Sequence, residues 1–181
     1  MTEVIKAIKT RRSIKSYKPD AVPTELLDAV LEAGTYAPTG RNMQSPIIIA
    51  VTDKATRDRL SRLNAEVMGM DGDPFYGAPA VLVVLADKSR STYLYDGSLV
   101  MENLMLAAHS LGLGSCWVQV RKRFDADGVS ADENVKRLLA IPENYAVLSV
   151  VAIGHKERES KPFDEEKLQW EKIHVGQFGG K

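Results

Sequence analysis

The chain has 181 residues, of which 44% are hydrophobic and 27% charged, enough to build a sizeable core. Lys plus Arg and Asp plus Glu number 24 each. A formal net charge of zero argues against a general nucleic-acid or membrane-surface binder, which would carry a basic excess.

The single cysteine, Cys116, excludes an internal disulfide and suits a reducing cytoplasm. Residues 1–12 contain no apolar h-region, so no secretory signal is expected. No 18-residue apolar run, repeat or low-complexity segment interrupts the chain, and no membrane association is expected.

In chain order, residues 2–11 place Val4, Ile5 and Ile8 on one face of a short predicted helix. A basic stretch with two hydroxyls and a proline follows over 11–20. The next helix starts at Pro23, carries Leu26, Leu27, Val30 and Leu31 on one face, and is expected to close at Gly34. Residues 37–46 read as a polar loop and 47–51 as a short strand. Thr52 or Asp53 caps a third helix running to about Met68. Residues 69–79 are rich in breakers and read as a mobile loop. A strand is expected over 81–86.

Residues 98–111 form a helix that is apolar nearly all round, with a narrow polar strip of Ser98, Glu102, Asn103, His109 and Ser110. Such a helix must be buried nearly all round, in a core or between subunits. Gly112 suits its C-cap, Gly114 a further turn, and residues 115–120 a strand. After a charged segment over 121–134 come a helix to Ala140, stopped by Pro142, and a strand over 145–153. The tail is polar, with Phe163, Leu168, Trp170, Ile173 and Phe178 as anchors. Four apolar strands, mostly separated by helices, predict an α+β or α/β protein whose sheet is covered on both faces.

The turn Gly112-Leu113-Gly114 is not a dinucleotide fingerprint, because the order here is helix, glycines, strand rather than the reverse. It caps a helix, and its backbone N–H groups could also meet a ligand. The cations Arg11, Arg12, Lys15 and Lys18 either solvate a helix end or capture an anion, with Ser13 as an added donor. Asn42 and Gln44 are either solvated loop amides or donors and acceptors for the edge of a heterocycle. The three histidines lack metal-ligand spacing, Cys116 reads as a packing residue, and no nucleophile motif is present. The polar chemistry therefore points to binding a flat, phosphorylated ligand.

The sequence resembles the nitroreductase family of FMN-dependent oxidoreductases. The resemblance rests on Arg11-Arg12-Ser13-Ile14-Lys15-Ser16-Tyr17 and on Ala37-Pro38-Thr39-Gly40-Arg41-Asn42-Met43-Gln44. It continues through Glu102-Asn103-Leu104, Leu111-Gly112-Leu113-Gly114-Ser115-Cys116-Trp117, Ile141-Pro142 and Ile153-Gly154. Two departures stand out: no tryptophan follows Gln44-Ser45-Pro46, and the segment 121–130 is longer than expected.

The resemblance implies one FMN-binding unit over 1–181. Its fold would be α+β, with a mixed central sheet flanked by helices, in a homodimer built around a long buried central helix. Arg11, Arg12 and Ser13 would hold the FMN phosphate and ribityl chain, and Lys15 would stand near N1 and the C2 carbonyl. Asn42 would bind the ring edge with Gln44 nearby, and the backbone of Trp117, Val118 and Gln119 would line the ring. Lys161 would complete the phosphate site, with Lys156 and Arg158 as rivals. The implied activity is a two-step cycle in which NADH or NADPH reduces the flavin, which then reduces a nitroaromatic, a quinone or a similar small molecule. The alternatives are a dehalogenase or flavin-cleaving oxygenase of the same fold, or a flavin-binding storage or regulatory protein.

Overall fold

The computed structural model describes residues 2–180; the two terminal residues of the expected 1–181 unit lie outside them. Along the chain run α1 (Glu3–Thr10), α2 (Thr24–Thr35), β1 (Ile47–Val51), α3 (Lys54–Met68), β2 (Ala80–Asp87) and α4 (Tyr93–Ser110). They are followed by β3 (Leu113–Gln119), α5 (Ala131–Leu139) and β4 (Tyr145–His155). The sheet order is β1-β2-β4-β3, and every strand pairing is antiparallel. Its mixed character comes from one parallel bridge, Ser13 with Ser115, on the outer edge of β3. The fold class is α+β. Among the described residues, no helix is long and apolar enough to cross a membrane.

Alternate residues of the central strands serve two cores. Val81, Val83 and Leu85 of β2 face Leu60 of α3 and Val135 of α5. Leu82, Val84 and Ala86 face Leu27 and Val30 of α2 and Met101 and Leu104 of α4. Burial on both faces explains why β2 and β4 are apolar without alternation. The helix ends follow capping chemistry. Asp53 accepts from the amides of Ala55 and Thr56 at 3.0 and 3.1 Å, and Gly69 ends α3 at φ 59°.

Four sequence expectations need correction. Gly34 does not close α2; it lies inside the helix, where an added Cβ would sit 2.7 Å from Ile48 Cδ1 and 2.8 Å from Leu104 Cδ2. It is a close-packing glycine rather than a cap. Gly114 likewise sits within β3, not at a turn, close against Ile14 and Lys156. The breaker-rich segment 69–79 is not loop-like throughout: over 73–77 it is tied down by the Asp73 carboxylate, which accepts from Ser61 Oγ, the amides of Phe75 and Gly77, and the Arg57 guanidinium. Finally, α4 starts earlier than expected and is not buried all round in the single chain. Val100, Met101, Leu104, Met105 and Ala108 are buried, while Tyr95 is 72% and Leu99 43% exposed.

The exposed stripe of α4 has company. Val4, Ile5 and Ile8 of α1 are exposed, as are the expected tail anchors Phe163, Leu168, Trp170, Ile173 and Phe178. The apolar periodicity read from α1 is therefore real but faces outward in one chain.

Candidate functional site

The basic segment owes its position to two apolar anchors. Ile14 and Tyr17 are both buried, and Ile14 N–H donates to Ser115 O at 2.9 Å while Lys18 N–H donates to His155 O at 2.9 Å. The segment thus runs along the β3 edge with Ser13 and Lys15 turned to solvent. Ser13, Lys15 and Ser16 line one side of a cavity of about 180 Å³; Arg158, Glu159 and Ser160 line the other. That volume suits a phosphate group and not a whole flavin, since sites for ligands of that size run to roughly 300–1,000 Å³.

The charges there are unevenly spent. Arg12 donates to Lys9 O at 2.9 Å and to Arg11 O, and its guanidinium lies 5.4 Å from the centre of the Phe163 ring. Lys156 pairs with Glu159 at 2.8 Å. Arg11 has only a distant acid, Glu102 Oε1 at 3.8 Å, and its buried Nε has no hydrogen-bond partner among the described residues. The buried Ser115 Oγ beside the Ser13 bridge is also unpartnered. Among the described residues, Lys15 and Arg158 carry no ion pair. Buried donors without acceptors are costly, and the unpaired cations Lys15 and Arg158 give the cavity they line a positive charge suited to an anion.

Burial dominates the two titratable groups beside the cluster, with the cations as a secondary influence. The His109 imidazole, 2.8 Å from Thr10 Oγ1, is held below the ordinary histidine range. Burial is the main cause, joined by Lys156, Arg11 and Arg12 and opposed by Glu159. Burial also pushes the Cys116 thiol up, against the pull of Lys15, a Ser13 hydrogen bond and Arg11. A thiol held protonated in the core is a packing group rather than a nucleophile.

The amide loop lies elsewhere. Asn42 and Gln44 line a separate cleft of about 800 Å³, with Glu32, Tyr36, Pro38 and Ile48. No residue lines both cavities. The loop is strained: Arg41, Asn42 and Gln44 have φ of 53°, 55° and 47°. Non-glycine residues there cost on the order of 1–3 kcal/mol each and persist only when over-determined. The restraint is Asp96, buried at the start of α4, whose Oδ1 accepts from Gly40 N–H at 3.0 Å while Oδ2 accepts from Thr92 Oγ1 at 2.9 Å. A Cβ on Gly40 would lie 2.4 Å from Thr92 Oγ1, so only glycine fits. Gln44 N–H adds a bond to Thr39 Oγ1 at 2.9 Å.

On β3, Val118 is buried in the core while Trp117 and Gln119 point the other way, joined by Nε1–Oε1 at 2.9 Å. Among the described residues, the outer edge of β3 has only the Ser13 bridge as partner, leaving backbone at Trp117 and Gln119 available to a ligand. Of the residues expected at the phosphate, only Ser13 and the rival Arg158 line the basic cavity; Arg11, Arg12, Lys156 and Lys161 do not, and Lys15, expected at the ring, does. Asp96 escaped the sequence reading, although a carboxylate at the head of an apolar helix was the available signal.

Comparison with known proteins identifies the fold and the family. The sequence pattern described as "Nitroreductase family" matches residues 8–69 and 68–155. A protein of Archaeoglobus fulgidus, provisionally named an NADH dehydrogenase/NAD(P)H nitroreductase, is 33% identical over 180 residues, spanning 96% of this chain and 98% of its own. The structure of an FMN-dependent nitroreductase from Clostridium difficile superposes with a TM-score of 0.88 at 35% identity, covering 96% of this chain and 99% of that one. A nitroreductase with bound FMN from Bacteroides fragilis superposes at 0.81 with 28% identity, covering 98% and 100%. Motif order, strand order and overall likeness converge, and the chain belongs to the nitroreductase family.

Proposed function

We propose that this chain is a cytoplasmic, FMN-dependent NAD(P)H oxidoreductase that reduces nitroaromatics, quinones or similar small acceptors, working as a homodimer. One observation carries the reading: a phosphate-sized cavity lined by Ser13, Lys15 and Arg158 lies apart from the cleft that carries Asn42 and Gln44, and in this reading two copies of the chain join them into one flavin site. An isologous pair brings the basic segment of one copy to the amide loop of the other. The exposed apolar faces of α1 and α4 supply the surface for that contact.

Within the combined site, Arg11, Arg12 and Ser13 hold the phosphate end. Arg158, which lines the cavity opposite Ser13, is preferred to Lys161 as the late cation, while Arg11 and Arg12 lie outside that lining and Arg11 is assigned on its unpartnered buried Nε. Lys15 faces the flavin ring as a positive charge, favouring the reduced, more negative form. Asn42 and Gln44 of the second copy recognise the ring edge, and the β3 backbone from Trp117 to Gln119 lines it. Bound there, FMN would supply the redox chemistry, hydride acceptance from NADH or NADPH and transfer of reducing equivalents to the acceptor. The relatives named above as nitroreductases, one described as FMN-dependent and one solved with FMN, support this chemistry.

The test is fluorescence quenching with FMN and riboflavin, followed by anaerobic mixing with NADH and NADPH. FMN binding at least tenfold tighter than riboflavin, with bleaching of the bound flavin by a nicotinamide, is expected. Equal affinities would remove the phosphate assignment, and flavin that stays oxidised would leave a carrier rather than an enzyme.

A further inference from the structure

The segment between α3 and β2 has no part in the site described so far, yet its Tyr76 stands against the basic segment. Lys15 Nζ lies 5.7 Å from the Tyr76 ring centroid, within cation–π range. Tyr76 has φ 57°, a left-handed conformation that bulky side chains rarely adopt. Its neighbours enforce it. Asp73 Oδ1 accepts from Phe75 N–H at 2.9 Å and Oδ2 from Gly77 N–H at 2.7 Å, while Tyr76 N–H donates to Asp73 O at 2.9 Å. Phe75 is fully buried beneath the Arg57 guanidinium, and Asp73 is itself held by Ser61 and Arg57.

Core packing accounts for only part of the tyrosine, whose ring rests against the core on one side while Lys15 meets its face on the other. The residue is only partly buried, and among the described residues its hydroxyl has no hydrogen-bond partner. A strained residue that its surroundings over-determine is a mark of a functional position. The object it meets is an exposed lysine with no carboxylate partner among the described residues. Lysine has much rotamer freedom to lose, so an unsupported Lys15 would spread its charge over many positions.

We propose that Tyr76 is a positioning residue for Lys15: its ring face holds the ammonium beside the basic cavity, already placed for the bound flavin. This rests on the assignment of Lys15 to FMN made above. The ring, not the hydroxyl, is the active feature, so Tyr76→Phe preserves the function and Tyr76→Leu abolishes it.

Two measurements test this on the full chain. In flavin-free protein, NMR should show the Lys15 Hε protons shifted upfield by the ring in wild type and Tyr76→Phe, and unshifted in Tyr76→Leu. In FMN-loaded protein, Lys15→Ala should lower the reduction potential. Tyr76→Leu should lower it in the same direction, weakening reduced against oxidised flavin binding by roughly two- to fivefold, the size of an exposed cation–π contact. The double variant should fall no further than Lys15→Ala alone, because both changes remove one interaction. Tyr76→Ala gives the same comparison if leucine disturbs the loop.

An unshifted Lys15 in wild type, or a Tyr76→Leu potential equal to wild type while Lys15→Ala lowers it, would overturn the role of Tyr76. Tyr76→Phe behaving like Tyr76→Leu would do so as well. A potential unmoved by Lys15→Ala, with the upfield shift intact, would instead overturn the assignment of Lys15 to the flavin and the positioning role with it.

Discussion

Asp96 shows how one buried carboxylate can serve a loop far from it in sequence. It is 3% exposed, and its two oxygens take the Gly40 amide and the Thr92 hydroxyl. Those bonds hold the turn in which Arg41, Asn42 and Gln44 are strained. Asp96→Ala should therefore cost about 1–3 kcal/mol, the price of leaving the Gly40 amide unpaired. The loop 39–44 should also exchange its amide hydrogens faster than the sheet does. Urea unfolding and hydrogen exchange measure both; unchanged protection in the loop would show that Thr39 alone restrains it.

Among the elements, the connection from α3 to β2 reads as a run of breakers but is built around one ion cluster. Burial of Asp73 works to raise its pKa. The hydrogen bonds from Arg57, Ser61, Gly77 and Phe75 outweigh that effect and hold it below the ordinary carboxylate value of 3.8. A depressed folded pKa adds stability that is fully present above the unfolded value and lost as pH falls through the folded one. Asp73→Ala should lower stability by about 2–3 kcal/mol near pH 7, the scale of lost bonds to a charged group. The gap between variant and wild type should narrow below about pH 4, where unfolded carboxylates bind protons. Unfolding titrations at several pH values would show it, and a gap of constant size would mean that Asp73 acts by shape alone.

At the level of the whole molecule, the two exposures of α4 separate folding from assembly. Met105 is 5% exposed and packs in the chain's own core, so Met105→Asp should unfold the protein by more than about 3 kcal/mol. Leu99 is 43% exposed on the outer stripe with Tyr95. Leu99→Asp should leave the fold intact but weaken the proposed dimer, since burying a leucine is worth about 1.5–3 kcal/mol and a buried charge opposes it. Light scattering, circular dichroism and flavin content read the three quantities independently. A folded Leu99→Asp variant that dimerises and keeps FMN like wild type would place the interface elsewhere.

Much of this was legible locally. The apolar runs of β2 and β4, the Asp53 cap and the Gly69 stop are near-neighbour effects, governed by periodicity and by hydrogen bonds within a turn. The basic and amide motifs were likewise visible as residue types in a fixed order. What the chain alone could not reveal depends on which strands lie side by side. Asp96 meets Gly40 across 56 positions, and Tyr76 reaches Lys15 only because the α3–β2 connection folds back over the basic segment. Arg158 rather than Lys161 enters the basic cavity because residues 157–160 follow the turn after β4. The outward faces of α1 and α4 have the same apolar chemistry as a core; only the packed layers decide that one chain leaves them uncovered.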